Sequence, residues 1–378
     1  MRMNEQIVGE LSIIGMKGCE DFIAQVDAYL QEWRRHTSDT SFLVHADCPR
    51  FGSGEAKGIL REPLRGRDVY ILCDCFNHGV TFNMYGQTVP MSPDDHFADL
   101  KRLIGAIGGK ARRVSVIMPM LYEGRQHKRA SRESLDCAVM LQELVNMGMT
   151  NFITFDAHDP RVQNAIPLHG FDNCRTTYQM IKALVRVFPD IKIDSDNMVI
   201  VSPDEGGMSK CMYYSSILGL DLGMFYKRRN YSVIINGKNP IEAHEYLGRD
   251  VRDRDVVIVD DMISSGESVI DVAAQLKEKG ARRIFVFASF GLFCNGLEAM
   301  DKAYAEGTIT KIFTTNLIYR TPELLSREWY AEVNMCKYVA LLIDTLNHDQ
   351  SIGTLLDQSK RIRKLMNEHL AALAAKDD

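Results

Sequence analysis

The sequence predicts an α/β protein of two similar doubly wound domains, each built on a mostly parallel sheet. Three observations predict it. From about residue 69 onward, short apolar runs rich in β-branched residues alternate with amphipathic stretches at helical spacing, the pattern of parallel sheets covered on both faces. Eight such units exceed one compact core, and 378 residues are enough for two domains of ordinary size. No stretch approaches about 18 uninterrupted apolar residues, so the 46% hydrophobic content belongs to a globular core and no membrane span is expected.

Taken in order, strands are expected at residues 69–72, 114–118, 152–155, 198–201, 223–226, 256–259, 284–288 and 312–315. A helix at 131–147 buries Cys137, Met140, Leu141 and Leu144 and ends at Gly148; another spans 206–218. A third follows Gly266 with Val269, Val272, Ala273 and Leu276 at i, i+3, i+4, i+7 spacing, and Gly280 closes it. A boundary within 175–195 gives similar halves, so domains are placed at 45–185 and 186–345, between an extension at 1–44 and a tail at 346–378. The first 40 and last 25 residues read as helices outside the alternation; the last is charged and amphipathic, which fits a solvated face and leaves a docking or oligomer role open.

A net charge of −5 gives no general attraction to nucleic acid or an anionic membrane, so any anionic ligand must be held by local groups. Acids early in the chain and no continuous apolar core argue against a secretory signal, which makes the cytoplasm the expected location. Nine cysteines without a CxxC pair fit reduced thiols, and Cys73 and Cys75, either side of Asp74 in an apolar run, read as packing.

The most informative segment is VVIVDDMISSGES. A buried strand is expected to stop at Asp260 and Asp261, and Ser264, Ser265 and Gly266 then lead into a helix. Free N–H groups and the positive end of the helix dipole suit a phosphate monoester, with serine hydroxyls as further donors and the two acids placed for sugar hydroxyls. Asp and Ser also cap helices, so spacing alone leaves capping and binding both open.

Other segments lie after strands, where ligands bind in such folds. His158 stands among acids in DAHD, suited to a metal-nucleotide complex. In SPDEGG, Asp204 offers a hard oxygen donor for Mg2+ and the glycines admit a ligand to the backbone. Lys227, Arg228 and Arg229 could neutralise charge on a transferring phosphoryl group, and Arg125, Gln126, Lys128, Arg129 and Arg132 suit polyphosphate.

In this order, the segments resemble those of ribose-phosphate diphosphokinases, the synthetases of phosphoribosyl diphosphate (PRPP). FDAHDPRVQ is similar to the family's DLHA-x-Q-x-Q, VSPDEGG to SPDxGG, KRR to the start of its catalytic loop, and VDDMISSGES to VDDxxDTGGT. RFGSGE, GRQHKR, ASFGLFCNG and SIGTLLD resemble RFSDGE, ARQDR, THGLFSG and SIxxLF, so the likeness spans about residues 45–356. It implies phosphoribosyltransferase-like domains with the active site in the crevice between them. The activity it implies is transfer of the β,γ-diphosphate of ATP to the anomeric hydroxyl of ribose 5-phosphate, giving PRPP and AMP.

Carried over by position, Phe51, Ser53, Gly54 and Glu55 match adenine contacts that the family supplies from a neighbouring subunit, and Arg125 and Gln126 match its ATP-binding pair. His158 and Asp204 match the Mg2+-ATP site, and Lys227 and Arg229 match the loop cations that stabilise the transition state, His158 being counted with these catalytic groups. Asp260, Asp261, Ser264, Ser265, Gly266, Glu267 and Ser268 match the ribose 5-phosphate site. The resemblance further implies a homo-oligomer, dimer or hexamer, with no nucleic-acid partner.

The chain departs from the pattern in places. Ser264 replaces an Asp, and Glu267 replaces a Gly beside the phosphate loop, where its side chain is expected to face solvent. His127 replaces the acid of ARQD, Arg161 the first Gln of the histidine segment, and Phe290 the His of THGLF, while Asp172 is the nearest match to the acids downstream of His158. Two rival readings are a phosphoribosyltransferase, which shares the PRPP motif but needs neither the RQ nor the KRR segment, and a catalytically silent regulatory homologue.

Overall fold

The computed structural model describes residues 7–34, 40–229 and 241–377, without the side chains of 227–229, 241–244 and 377. It divides into two compact units. The first takes the chain through Thr176 together with Asn316–Thr321 and Asn334–Asp357; the second takes Thr177–Thr315, Pro322–Val333 and the chain from Gln358.

The first unit carries five parallel strands in sequence order, Leu11–Gly15, Asp68–Leu72, Arg113–Ile117, Asn151–Phe155 and Gly170–Cys174. On one face Val69, Ile71, Val114 and Val116 meet Leu100 and Ile104 of the helix Pro93–Ile107 and Met140 and Leu144 of Asp136–Asn146. The first of these helices starts at a capping box in which Ser92 and Asp95 each bond the other's backbone N–H. On the opposite pleat, Phe155 meets Tyr338 edge to face, its ring in the helix Cys336–Asn347, which also packs on Glu20–Arg34.

Three expectations need correction here. The first 40 residues are not helical throughout: LSIIG is the edge strand of the first sheet, its burial continuous because a helix covers it. Gly170–Cys174, GFDNC, closes the other edge without a hydrophobic pattern, since an edge strand is half-buried and held mainly by its ladder. The helix expected from residue 131 begins at Asp136, because Gln126 Nε2 holds the Ser134 carbonyl at 2.9 Å and keeps the preceding segment as a loop.

The second unit has seven strands in the order Ile241–Leu247, Asp221–Arg229, Met198–Ser202, Asp255–Ile263, Ile284–Gly291, Lys311–Thr315 and Tyr330–Val333. The first pair is antiparallel and the others are parallel. The chain leaves Met198–Ser202 toward one edge and returns to Asp255–Ile263 on its other side. The topological switch point, where ligands bind in open α/β sheets, is between these two strands. The tail helix Ser359–Asp377 docks on this unit: Ile362 and His369 are buried and the His369 ring bonds the Ile191 carbonyl at 2.7 Å, so its apolar stripe is covered.

Candidate functional site

In the second unit the expected end of the strand is revised. Pairing with Ile284–Gly291 continues to Ile263, so Asp260 and Asp261 lie within the strand and the loop is Ser264 to Gly266 alone. Gly266 takes φ +89° and caps the helix Glu267–Glu278, whose first backbone bond runs from Ile270 N–H to the Gly266 carbonyl. The N–H groups of Glu267, Ser268 and Val269 therefore precede the helical ladder and are open to an anion, beside the Ser264, Ser265 and Ser268 hydroxyls. Among the described residues, only a long 3.5 Å contact from Glu267 N–H to Ser265 Oγ occupies one of them. Glu267 itself is exposed, with its carboxylate turned toward Asn295 Nδ2 at 3.4 Å.

Asp260 Oδ1 accepts from Asp261 N–H at 2.8 Å and Asp261 Oδ1 from Met262 N–H at 3.0 Å. Burial, with Asp261 beside it, pushes the Asp260 carboxyl well above the usual range. One proton shared by such a pair provides a donor and an acceptor side by side, which suits vicinal sugar hydroxyls. Lys210 Nζ reaches the Asp260 carbonyl at 3.4 Å. In the sequence this lysine carries no signal beyond its place in the first turn of the helix Met208–Leu218, after the SPDEGG loop.

Across the switch point, Asp204 Oδ1 accepts from the N–H groups of Gly206 and Gly207 at 2.9 and 3.2 Å, while Ser202 Oγ donates to the Asp204 carbonyl. A Cβ on Gly207 would lie 2.8 Å from Ser202 Oγ, so this turn needs glycine. Asp204 Oδ2 has no partner among the described residues, which leaves a hard oxygen donor open. Lys227 and Arg229 lie on the strand Asp221–Arg229, Lys227 in register with His244 and a bulge falling between Arg228 and Arg229; their side chains lie outside the described part.

In the first unit, Asn151–Phe155 delivers Asp156 in the left-handed region at φ +40°, an uncommon place for a residue with a side chain. Its buried Oδ2 accepts from Thr176 N–H and Oγ1 at 3.2 and 2.6 Å, and Ala157 N–H bonds Asn173 Oδ1, so the next strand pins the turn. His158 then emerges exposed, with its ring 5.5 Å from that of His127. Arg125 is exposed, whereas the Gln126 amide is spent inside its own loop on Ser134. Phe51, 55% exposed, heads a tight turn in which its N–H bonds the Glu55 carbonyl, Gly54 takes φ +94°, and Ser53 Oγ donates to Glu55. The hairpin Thr81–Met84 and Gln87–Pro90 braces this turn through Tyr85 N–H to the Gly52 carbonyl at 2.9 Å.

The structure thus gathers Asp204 with Asp260 to Ser268 about the switch point of the second unit, and Arg125 and Gln126 with His158 in the first. Phe51 to Glu55 form a separate turn of the first unit. Among the described residues no group of three or more His, Cys, Asp or Glu forms a cage for a metal ion. Mg2+ is ordinarily held through one or two carboxylates plus substrate phosphates, so such a donor set still fits it.

Residues 11–148 match the family model for the N-terminal domain of ribose phosphate pyrophosphokinase, and residues 179–312 match that for the phosphoribosyl transferase domain. The ribose-phosphate pyrophosphokinase of Ureaplasma parvum is 30% identical over 72% of this chain and 76% of its own length. That of Pasteurella multocida is 26% identical over 86% and 95%. The crystal structure of phosphoribosylpyrophosphate synthetase from Mycobacterium smegmatis superposes with a TM-score of 0.73, covering 90% of this chain and 99% of that one; at 19% identity it supports the fold.

Proposed function

We infer, because this chain belongs to the ribose-phosphate pyrophosphokinase family, that it transfers the β,γ-diphosphate of ATP to the anomeric hydroxyl of ribose 5-phosphate, giving PRPP and AMP. The observation that carries the sugar side is the placement of paired acids and a serine loop at the switch point of the second unit. A first unit that matches the pyrophosphokinase N-terminal domain separates this activity from that of a phosphoribosyltransferase.

In the reaction the anomeric oxygen attacks the β-phosphorus, the bond from that phosphorus to the α,β-bridging oxygen breaks, and AMP leaves as the hydroxyl proton is lost. We assign Asp260 and Asp261 to the ribose hydroxyls, and Ser264, Ser265, Ser268 and the N–H groups of Gly266 and Glu267 to the 5-phosphate. Arg125 takes the nucleotide phosphates, Gln126, whose amide holds the Ser134 carbonyl, shapes the loop that presents it, and Phe51, Ser53, Gly54 and Glu55 take adenine. Lys227 and Arg229 neutralise charge on the transferring group, since phosphoryl-type transfer needs positioning and charge compensation more than covalent help. His158 and Asp204 are assigned to the metal-bound nucleotide, where Mg2+ supplies charge neutralisation on the phosphate oxygens.

Incubation with ATP, Mg2+ and ribose 5-phosphate is expected to release AMP only when the sugar phosphate is present, and Lys227→Ala is expected to remove that activity. No AMP, with PRPP consumed when a nucleobase is offered, would assign the chain to the transferases; nucleotide binding with neither reaction would mark a silent homologue. We assign at least a homodimer, because Phe51 to Glu55 match contacts made to a neighbouring subunit's nucleotide; an active monomer in sedimentation would contradict this. The cytoplasm, which holds both soluble substrates, is the assigned location.

A further inference from the structure

Two loops of the first unit carry groups assigned to the nucleotide, and one buried carboxylate ties them together. Asp159, 8% exposed, directly follows His158. Its Oδ1 accepts from Arg161 N–H and Nε, both at 2.9 Å, and its Oδ2 faces the same guanidinium. Oδ2 also lies 3.1 Å from Nδ1 of His127, two residues beyond Arg125 in the other loop. An ionised carboxylate at this separation favours the imidazole form that carries its hydrogen on Nδ1. The same imidazole meets the His158 ring at 63°, centroids 5.5 Å apart.

The three residues act as a set. With His at 127, the loop needs a carboxylate from elsewhere to hold it, and Asp159 supplies one. A bare carboxylate beside a polyphosphate site would repel the ligand, and the Arg161 fork cancels that charge. The ring of His127 is largely enclosed, so it has little room to turn.

We propose that His127, held by Asp159, is a positioning residue that orients the imidazole of His158 and locks the Arg125–Gln126 loop to the loop carrying His158. The inference rests on the ATP reading above and adds the device by which the first unit keeps its nucleotide groups in one arrangement. Partners that orient a ligand-binding group cost about 10–100-fold in affinity or activity when removed.

The test uses the full chain with His127→Ala and His127→Asn, read by steady-state kinetics, by nuclear magnetic resonance of the His158 imidazole without nucleotide, and by thermal melting. His127→Ala is expected to move the His158 resonances and raise the KM for ATP about 10–100-fold, with the KM for ribose 5-phosphate unchanged. His127→Asn, whose side-chain N–H can take the place of Nδ1–H, is expected to recover part of the ATP affinity. Should His127→Ala not fold, His127→Phe keeps a ring against His158 but cannot donate to Asp159, and the same rise in KM is expected. Unmoved His158 resonances with an unchanged KM for ATP, or a loss that follows melting temperature and affects both substrates equally, overturns the proposal. A wild-type protein that makes no AMP refutes the assigned reaction instead, and the resonance comparison then still decides whether His127 orients His158.

Discussion

Gly266 turns the chain into the helix Glu267–Glu278 with its α-carbon against the buried Met300, and a Cβ at Gly266 would overlap the Met300 methyl. The phosphate loop is thus shaped by a φ that favours glycine and by a core side chain beneath it.

Gly266→Ala is expected to destabilise the second unit by about 1–3 kcal/mol, from the left-handed backbone and the displaced methionine. Because the tilted loop misaims its N–H groups, the KM for ribose 5-phosphate should rise about tenfold or more while the KM for ATP stays put. Kinetics with each substrate varied in turn decide it, and equal changes in both KM values would refute it.

Glu267 places a carboxylate at the first position of that helix, exposed and near the anion site. Glu267→Gln is expected to tighten ribose 5-phosphate severalfold at low ionic strength, an advantage that shrinks as salt screens the charge. The helix should lose about 0.3–1 kcal/mol from the lost dipole interaction. A KM ratio between variant and wild type that is flat from low to high salt would show that the carboxylate has no electrostatic reach to the phosphate.

Lys227 lies on a strand of the second unit in register with His244. If it neutralises charge that develops only during transfer, Lys227→Ala lowers kcat by about 100-fold or more and leaves both KM values near wild type. A variant that raises KM with kcat intact would make Lys227 a ground-state binding residue.

Much of this is legible in the sequence for a physical reason: strands buried on both faces read as continuous apolar runs, as around Val69, Val114, Phe152, Val199, Val256 and Ile284. Gly170–Cys174 escaped because an edge strand needs only one ladder and little burial, and Tyr330–Val333, although mostly buried, because four residues interrupted by Glu332 make no apolar run. The strand end at Ile263 escaped too, since carboxylates at Asp260 and Asp261 look like a break while their backbone remains paired. No pattern in Cys336–Asn347 announces which sheet an amphipathic helix covers, and its return to the first unit rests on contacts distant in sequence, apolar at Phe155–Tyr338 and polar at Arg113–Leu346. At the site, residue types and order indicated the groups, but the employment of Gln126 within its own loop, and of Asp159 as a clamp, depends on where loops touch.

Asp74 offers a pH test. It is buried between Cys73 and Cys75, accepts from Phe76 N–H at 2.9 Å and Tyr319 N–H at 2.7 Å, and burial raises its carboxyl to about 6. With the folded value above the unfolded one, the stability its protonated form contributes is complete below about 3.8 and is lost as pH rises through about 6. The stability of wild type relative to Asp74→Asn should therefore fall by about 2–3 kcal/mol between pH 4 and pH 7. Paired urea titrations measure it, and a gap that widens with pH contradicts the sign.

Asp68 is fully buried, and its two oxygens take the fork of Arg113 at 2.8 and 2.6 Å, while Asn347 Nδ2 bonds Oδ2 at 2.9 Å. Arg113 also holds the Leu346 carbonyl and Asn347 the Gly9 carbonyl, so this cluster fastens the end of Cys336–Asn347 to the first sheet. Asp68→Ala strands a nearly buried guanidinium and is expected to cost about 3–5 kcal/mol, whereas Asp68→Leu with Arg113→Met should recover most of it, because no charge is then left unpaired. Loosening should start at the helix whose end the cluster holds. Hydrogen exchange in Asp68→Ala is therefore expected to quicken in residues 336–347 and spare the strands of the second unit. Uniform exchange across both units would mean that the cluster supports the whole chain and not this one attachment.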